Sequence, residues 1–357
     1  MTNLEKIASF ENLYQAHRKC RLGKQGEKVV IQFEMNLSFE LTRLENELKN
    51  YSYRLGGYHE FVIHDPKERL IQALGYRDRV VQHSLCDNVL QPILEPRLIY
   101  DNSACRLEKG THFSMKRLQQ FFYKHYKRNG TQGYILKFDI KKYFDSIDHE
   151  ILFSQMVKVF GKDRELIGLI KMIINSFSVS EGKGLPMGNQ SSQWFGIYYL
   201  NGLDHYIKEC LRIKFYTRYM DDGILIHEDK QYLQMCLKKM NTYISQNLRL
   251  QFNEKTQIVP ISQGVDYLGF HFFMTDTGKV VKRLRLSAKK RFKRKLKHYQ
   301  RAYRDDKITR EEIERSLASY RGHLSHGDTH ALQANVLRQF VLTKEHKSNE
   351  AKKEESL

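Results

Sequence analysis

Arg218-Tyr219-Met220-Asp221-Asp222-Gly223 lies between two β-prone stretches, residues 213–220 and 224–226. This pattern predicts a β-hairpin with two carboxylates and a glycine at its turn. Adjacent aspartates repel each other unless a cation shares them, and their oxygen ligands suit a hard divalent ion such as Mg²⁺. Taken alone, the stretch is more typical of a solvated Asp-Asp-Gly turn than of a metal site.

A second carboxylate stands upstream, in Tyr134-Ile-Leu-Lys-Phe-Asp139. Residues 134–138 predict a buried strand that ends at Asp139. If Asp139 faces the hairpin, then Asp139, Asp221 and Asp222 can hold two Mg²⁺ ions, with Mn²⁺ as a substitute. Two ions can activate a hydroxyl nucleophile and stabilise a pyrophosphate leaving group. Asp148 is left out of this metal site because the helical pattern that follows it predicts a helix N-cap.

These two stretches, in this order and at this separation, resemble the polymerase motifs of reverse transcriptases. The resemblance covers about residues 55 to 340. It implies an α+β right-hand polymerase fold, with an antiparallel palm sheet backed by helices. The expected domains are an N-terminal extension and fingers (1–125), a palm (126–276), a helical thumb (277–342) and a tail (343–357). The composition of the tail predicts disorder.

The resemblance also implies an activity, RNA-directed DNA polymerase, which extends a primer with deoxynucleotides. In the family, Lys67 and Arg69 would meet the triphosphate of the incoming nucleotide, and Phe144 would exclude a ribose 2′-hydroxyl. Lys255 would act near the pyrophosphate leaving group. From the residues alone, a core aromatic remains the alternative for Phe144, and an ordinary surface lysine remains the alternative for Lys255.

The segment 182–193 departs from the usual family pattern, which has a Gln-Gly pair followed three residues later by Ser-Pro. Met187-Gly188 and Ser192-Gln193 stand at those two places. This version resembles the reverse transcriptases of diversity-generating retroelements, in which the altered segment accompanies low fidelity opposite template adenines. Gly188 and Gln193 are therefore expected beside the incoming nucleotide.

The resemblance to the retroelement enzymes implies two kinds of partner. The first is a template RNA with its RNA/DNA duplex, and the second is a small basic accessory protein, for which the surface of residues 1–50 is a candidate docking site. Group II intron, retron and phage-defence reverse transcriptases remain the alternatives within the enzyme class. A different class, an RNA-binding protein that has the polymerase fold but performs no synthesis, also remains open.

The net charge of +19 and the pI near 9.5 indicate a polyanionic partner, either nucleic acid or an acidic membrane surface. Thirteen Lys or Arg and no acid lie between residues 279 and 304. Such a density of cations favours contact with duplex phosphates, which is independent of base sequence. The predicted nucleic-acid contacts are Arg106, Lys109, Arg283, Lys289, Lys290, Arg291, Lys293 and Arg294.

The remaining composition points to a cytoplasmic protein, and the resemblance implies that it is bacterial or phage-encoded. The five cysteines are scattered, without the spacing of a disulfide framework or a metal site. No apolar run reaches membrane-spanning length, and the first residues lack the basic start and apolar run of a signal peptide. We therefore expect reduced thiols and no membrane partner.

Overall fold

The computed structural model describes residues 1–64 and 68–344. The chain forms two compact units. The first contains Met1–Leu118 and Tyr134–Ile258, and the second contains Gln119–Gly133 and Val259–Leu357. The division of the chain into fingers, palm and thumb at residues 125, 276 and 342 stays a prediction.

The first unit begins with four helices: α1 (Asn3–Ala8), α2 (Phe10–Cys20), α3 (Lys28–Met35) and α4 (Leu37–Lys49). Apolar periodicity predicts helix throughout 5–20 and 29–49, but each stretch is interrupted once. Ser9 leaves the helical conformation, and its hydroxyl accepts a hydrogen bond from the Asn12 backbone N–H, so a new helix begins there. Asn36 separates α3 from α4 in the same region of the chain.

A β-hairpin follows, made of β1 (Tyr58–Ile63) and β2 (Arg69–Leu74), which pair antiparallel. Next come α5 (Tyr76–Leu85), a π-helical turn at Cys86–Leu90, α6 (Gln91–Leu94) and α7 (Thr111–Asn129). The sequence predicts one core helix over residues 80–95. The apolar side chains of that stretch are buried, among them Val80, Leu85 and Val89.

A four-stranded sheet carries the predicted carboxylates. Its strands are β3 (Tyr134–Phe138), β4 (Phe215–Tyr219), β5 (Asp222–His227) and β6 (Gln257–Pro260), in the order β4-β5-β3-β6. β5 pairs antiparallel with both β4 and β3. The helices of this part of the chain are α8 (Tyr143–Ser146), α9 (His149–Phe160), α10 (Arg164–Asn175), α11 (Gln190–Tyr199), α12 (Asn201–His205) and α13 (Lys230–Leu248).

The hairpin turn differs from its prediction in one respect. Tyr219 pairs with Asp222, so the two turn residues are Met220 and Asp221, while Asp222 begins β5. Gly223 is a strand residue and pairs with both Arg218 and Phe138. A Cβ at Gly223 would meet ring atoms of Phe138 at 2.2 Å. The glycine is therefore required by the aromatic ring that packs over it, and not by the turn.

The second unit contains a three-stranded antiparallel sheet of β7 (Val265–Tyr267), β8 (Phe270–Met274) and β9 (Val280–Leu284). Three helices follow, α14 (Leu286–Arg304), α15 (Arg310–Leu324) and α16 (His330–Leu337). The sequence Thr309-Arg-Glu-Glu312 predicts a capping box, and Thr309 and Glu312 form one at the start of α15. The predicted apolar face of α14 is buried, with Phe292, Leu296 and Tyr299 inside.

The predicted fold class, α+β with an antiparallel sheet and helices, is confirmed by these elements. Within residues 1–64 and 68–344, no helix has both the length and the apolar character that a bilayer crossing requires. All five cysteines are free thiols, as expected.

Candidate active site

Asp139 and Asp221 come together because of the register of the central sheet. Phe138 is the last residue of β3 and pairs with Gly223 of β5. Asp139 therefore follows at the edge where the β4–β5 turn presents Asp221. The Asp139 main chain is fixed by its carbonyl, which accepts a hydrogen bond from the Asn253 N–H at 2.7 Å. Two carboxylates from distant parts of the sequence thus meet at one end of the sheet.

The electrostatics of this pair are unfavourable for two free anions. Burial raises the pKa of Asp221 well above its ordinary value, and the neighbouring Asp139 carboxylate raises it further. A side-chain hydrogen bond with Asp139 acts on the pKa of Asp221 in the same direction. Two like charges in one partly buried place hold a proton between them unless a cation replaces it.

Asp222 has a different environment from the other two acids. Its Oδ2 lies 3.2 Å from the Nζ atom of Lys137. Lys137 stands two residues before Asp139, so both side chains leave β3 on the same face. The structure therefore brings Asp139 and Asp221 together and pairs Asp222 with a lysine, while the Asp222 charge is still close enough to raise the pKa of Asp221. Lys137 is the one charged residue in the apolar run 134–138, and a charge at such a position is a sequence signal for a buried ionic partner.

The carboxylates at this end of the sheet supply part of the ligand set that a divalent cation needs. Asp139 and Asp221 supply hard oxygen ligands, and their mutual repulsion is the feature that Mg²⁺ binding would relieve. In the part of the chain that the structure describes, no group of three His, Cys, Asp or Glu side chains is already gathered as a ligand set. A site on these residues would thus use two protein carboxylates, with the other ligands coming from substrate phosphates and water, as is usual for Mg²⁺.

Phe144 lies on the chain just beyond Asp139 and is half-buried. Its ring packs against α11 at Gly196, where an added Cβ would meet the ring at 3.3 Å. Its neighbour Tyr143 is buried and donates a hydrogen bond from its hydroxyl to the Gly196 carbonyl. The Phe144 ring is therefore held from one side by a helix while part of it stays accessible.

The segment before α11 is attached to β2. The Gln72 N–H donates to the Met187 carbonyl at 2.9 Å, and the Asn189 side-chain amide donates to the Gln72 carbonyl at 3.0 Å. Gly188 has φ +119°, and a Cβ there would meet Ile71 at 2.8 Å. Gly188 is therefore needed for close packing on β2. Gln193, one turn into α11, is exposed.

The other predicted nucleotide contacts are placed as follows. Arg69 is exposed at the start of β2. Lys67 lies outside the described residues. Lys255 is exposed, and its backbone N–H donates to the Asn253 side chain at 3.0 Å.

The guanidinium of Arg106 is engaged within the protein, which weakens its predicted phosphate contact. Its guanidinium donates to the Glu95 carboxylate at 3.1 Å and to the carbonyls of Ile99 and Asn102, each at 2.8 Å. The side chain is only 8% exposed. A guanidinium so occupied stabilises the loop in which it lies and has little capacity left for a nucleic-acid phosphate.

Lys109 is also engaged within the same region. Its ammonium donates to the Tyr100 carbonyl at 2.6 Å and lies over the Tyr100 ring. Burial, together with the nearby Arg106, lowers the pKa of Lys109 to about 8. The Lys109 side chain is partly exposed, but its ammonium group is hydrogen-bonded within its own loop. This engagement weakens the predicted phosphate contact.

The basic residues of the second unit are distributed around α14 and β9. Lys290, Lys293 and Arg294 are exposed on α14, whereas Lys289 and Arg291 are half-buried. Arg283 is exposed on β9, with its guanidinium over the Phe273 ring. The exposed members lie opposite the buried apolar face, so α14 presents cations to solvent.

Comparison of the chain with known protein families and solved structures gives one family match and several structural likenesses. Residues 64–272 match the family model described as reverse transcriptase (RNA-dependent DNA polymerase). No curated protein sequence matched the chain. Among solved structures, the telomerase of Candida albicans, in complex with a TWJ fragment of telomeric RNA, aligns at 13% identity with a TM-score of 0.50, over 72% of this chain and 52% of that one. Apo telomerase of Candida tropicalis, truncated from its C-terminal domain, aligns at 16% identity and a TM-score of 0.48, over 66% of this chain and 58% of that one. The chain thus spans little more than half of these proteins, and the first likeness concerns the fold alone.

Proposed function

The chain belongs to the reverse transcriptase family, and we propose that it copies a template RNA into cDNA by two-metal-ion nucleotidyl transfer. The observation that carries this proposal is the meeting of Asp139 and Asp221, with the pKa of Asp221 raised by burial and by its neighbour. That arrangement is costly without a cation, and it lies at the positions of the family's polymerase motifs.

The chemistry assigned to this site is attack of a primer 3′-hydroxyl on the α-phosphate of a deoxynucleotide. When bound, two Mg²⁺ ions would supply activation of the hydroxyl and stabilisation of the pyrophosphate leaving group. Asp139 and Asp221 would hold the ions. Asp222, which is paired with Lys137, is proposed to support these two ligands at the metal site.

The proposed substrate-binding roles come from the family resemblance, and the exposure of three side chains supports them. Arg69 presents exposed donors suited to a triphosphate, with Lys67 as its sequence neighbour. Phe144, held against Gly196, is proposed to exclude the ribose 2′-hydroxyl. Lys255 carries a mobile ammonium that can donate a proton to the leaving group or neutralise it.

We further propose that the product is error-prone cDNA of a diversity-generating retroelement. The support is the sequence of the segment attached to β2, with Met187-Gly188 and Ser192-Gln193 in place of the usual pairs. Gln193 is exposed on α11, where it can contact a base. A group II intron, retron or phage-defence enzyme would share the catalytic carboxylates and copy faithfully.

The test is to sequence the cDNA that the purified protein makes on its element's own template RNA, with Mg²⁺ and all four deoxynucleotides. Errors concentrated opposite template adenines would support the diversity-generating assignment. Faithful cDNA would keep the polymerase and reject that subtype. Bound RNA without any product, even with the accessory protein added, would favour an RNA-binding role.

The accessory protein is proposed to dock on the N-terminal helices. Ile31 and Met35 of α3 and Phe39 of α4 are exposed, and Met35 is 79% exposed. Exposed apolar side chains at this density suit a protein contact. Replacing Met35 and Phe39 with glutamate should abolish co-purification of the accessory protein and leave cDNA synthesis on a simple primed template unchanged.

A further inference from the structure

The strand that leads into the turn at Asp221 contains a buried arginine. Arg218 and Asp204 are both fully buried. Two parallel hydrogen bonds join them, from Nε to Oδ1 at 2.7 Å and from Nη2 to Oδ2 at 2.5 Å. A bidentate pair of this kind fixes the plane of the guanidinium.

The guanidinium has two further contacts, both with main-chain carbonyls. Nη2 donates to Ile197 of α11 at 3.0 Å, and Nη1 donates to Met220 in the turn. Arg218 therefore connects three elements: α12, which carries Asp204; α11, which begins at Gln190; and the turn of the β4–β5 hairpin.

The Met220 carbonyl is a sensitive point of the turn. Met220 has φ +55°, a left-handed conformation that residues with a Cβ seldom adopt. Its carbonyl belongs to the peptide group that leads directly into Asp221. A donor that holds this carbonyl stabilises the strained conformation and fixes the direction in which the Asp221 side chain leaves the turn.

Asp204 is itself held in place by an outer layer of donors. The Tyr216 hydroxyl donates to Oδ1 at 2.6 Å, and the Asn102 amide donates to Oδ2 at 3.4 Å. The Asn102 segment also pairs with Arg218 through a backbone bridge. Asp204 thus has little freedom to rotate, and it transmits this rigidity to Arg218.

We propose that Arg218 is a positioning residue of the polymerase reaction: its guanidinium, oriented by Asp204, holds the Met220 carbonyl and thereby places the Asp221 carboxylate against Asp139. The inference rests on the proposed metal-binding role of Asp221. The proposed role differs from that of a purely structural ion pair. The effect on the metal site depends on the hydrogen bond from Arg218 to the Met220 carbonyl, and not only on the compensation of the Asp204 charge.

The test uses variants that keep the buried region satisfied. Arg218→Met combined with Asp204→Asn removes both charges, and replacing both partners of a buried pair is often close to neutral for folding. The Asp204→Asn change leaves an amide oxygen that still accepts the hydrogen bond of the Tyr216 hydroxyl. Arg218→Lys keeps the charge beside Asp204 but loses the fork that reaches Met220. The matched control is Arg77→Met with Glu47→Gln, which removes a half-buried ion pair that has no contact with the turn.

Three quantities are measured for each variant: binding of Mn²⁺ alone by electron paramagnetic resonance, kcat for primer extension, and the Kd for primer–template. For Arg218→Met/Asp204→Asn and for Arg218→Lys, we expect the half-saturating Mn²⁺ concentration to rise, and kcat to fall, about 10- to 100-fold. The Kd for primer–template stays within about twofold, since a shift of the turn leaves the duplex contacts in place. The control variant keeps wild-type Mn²⁺ binding and kcat.

Two results would overturn this inference and leave the proposed metal role of Asp221 intact. One is wild-type Mn²⁺ binding in both Arg218 variants, and the other is wild-type behaviour of Arg218→Lys, which would show that charge compensation suffices. Failure of the wild-type protein to bind Mn²⁺ would instead remove the proposed metal role of Asp221, and this inference with it.

Discussion

Gly223 offers the sharpest perturbation of the hairpin that carries Asp221. In Gly223→Ala, the new Cβ would lie 2.2, 2.3 and 2.9 Å from three ring carbons of Phe138. The closest of these is more than an ångström nearer than carbon atoms ordinarily approach. Because Phe138 is buried and pairs with Gly223, β5 must move away from β3 or the ring must leave its place.

The expected cost has two parts. Overpacking of this kind lowers the free energy of unfolding by about 1–3 kcal/mol. A displacement of about 1 Å between Asp139 and the Asp221 turn lowers kcat about 100-fold, because reacting groups must be aligned closely. Urea unfolding and single-turnover primer extension on an RNA template measure the two parts separately.

A relief variant and a control accompany this test. Phe138→Leu removes the clashing ring atoms, so the double variant Gly223→Ala/Phe138→Leu should recover at least about tenfold in kcat, with a coupling energy of about 1 kcal/mol or more. Gly168→Ala in α10 is the control, because its Cβ would meet no described atom within 4 Å. It should stabilise the helix by up to about 1 kcal/mol. Wild-type kcat in Gly223→Ala, or no recovery in the double variant, would refute the reasoning.

Three further predictions test other parts of the chain. Phe144→Ala should raise the ratio of ribonucleotide to deoxynucleotide incorporation by at least about tenfold in single-nucleotide extension, and an unchanged ratio would remove Phe144 from sugar selection. Replacing the exposed cations Lys290, Lys293 and Arg294 with glutamine should reduce the slope of log Kd against log salt for duplex binding by about 3, whereas Arg106→Met should leave the slope unchanged. Burial lowers the pKa of His17 below 6.5, so the neutral ring's contribution to stability is complete above pH 6.5 and is lost as the pH falls. Urea unfolding at pH 7.5 and 5.5 should show a smaller loss for His17→Gln than for the wild type, and an equal loss would reject His17 as the source.

Local sequence patterns predicted the main elements around the site. The apolar run at 134–138 predicts a strand, and the helical spacing of Leu233, Cys236, Met240 and Ile244 predicts a helix over 230–248; both have these bounds in the structure. A short apolar run and apolar residues at helical spacing determine such elements within a short window, so no distant residue is needed to predict them. The break at Ser9 was missed because a single cap residue interrupted an otherwise continuous apolar pattern.

What sequence patterns could not give is the pairing of distant residues. Gly223 was recognised as special but was assigned to the turn, because the ring of Phe138 reaches it only in the folded sheet. The sequence around Arg106 predicts a phosphate contact, because nothing local shows that Glu95 and two carbonyls bind its guanidinium. The ion pair of Arg218 with Asp204 and that of Lys137 with Asp222 likewise depend on the sheet and helix packing.

The most direct test of the central claim is primer extension on an RNA template by Asp221→Asn, with duplex binding measured in parallel. Asp145→Asn is the matched control, an acid close in sequence to Asp139 that is assigned no role in the reaction. We expect Asp221→Asn to lose at least about a thousandfold in rate, since metal-ion stabilisation of the transition state is worth several kcal/mol, while its duplex affinity persists. Asp145→Asn should retain wild-type activity. An Asp221→Asn variant that still synthesises cDNA at the wild-type rate would contradict the account.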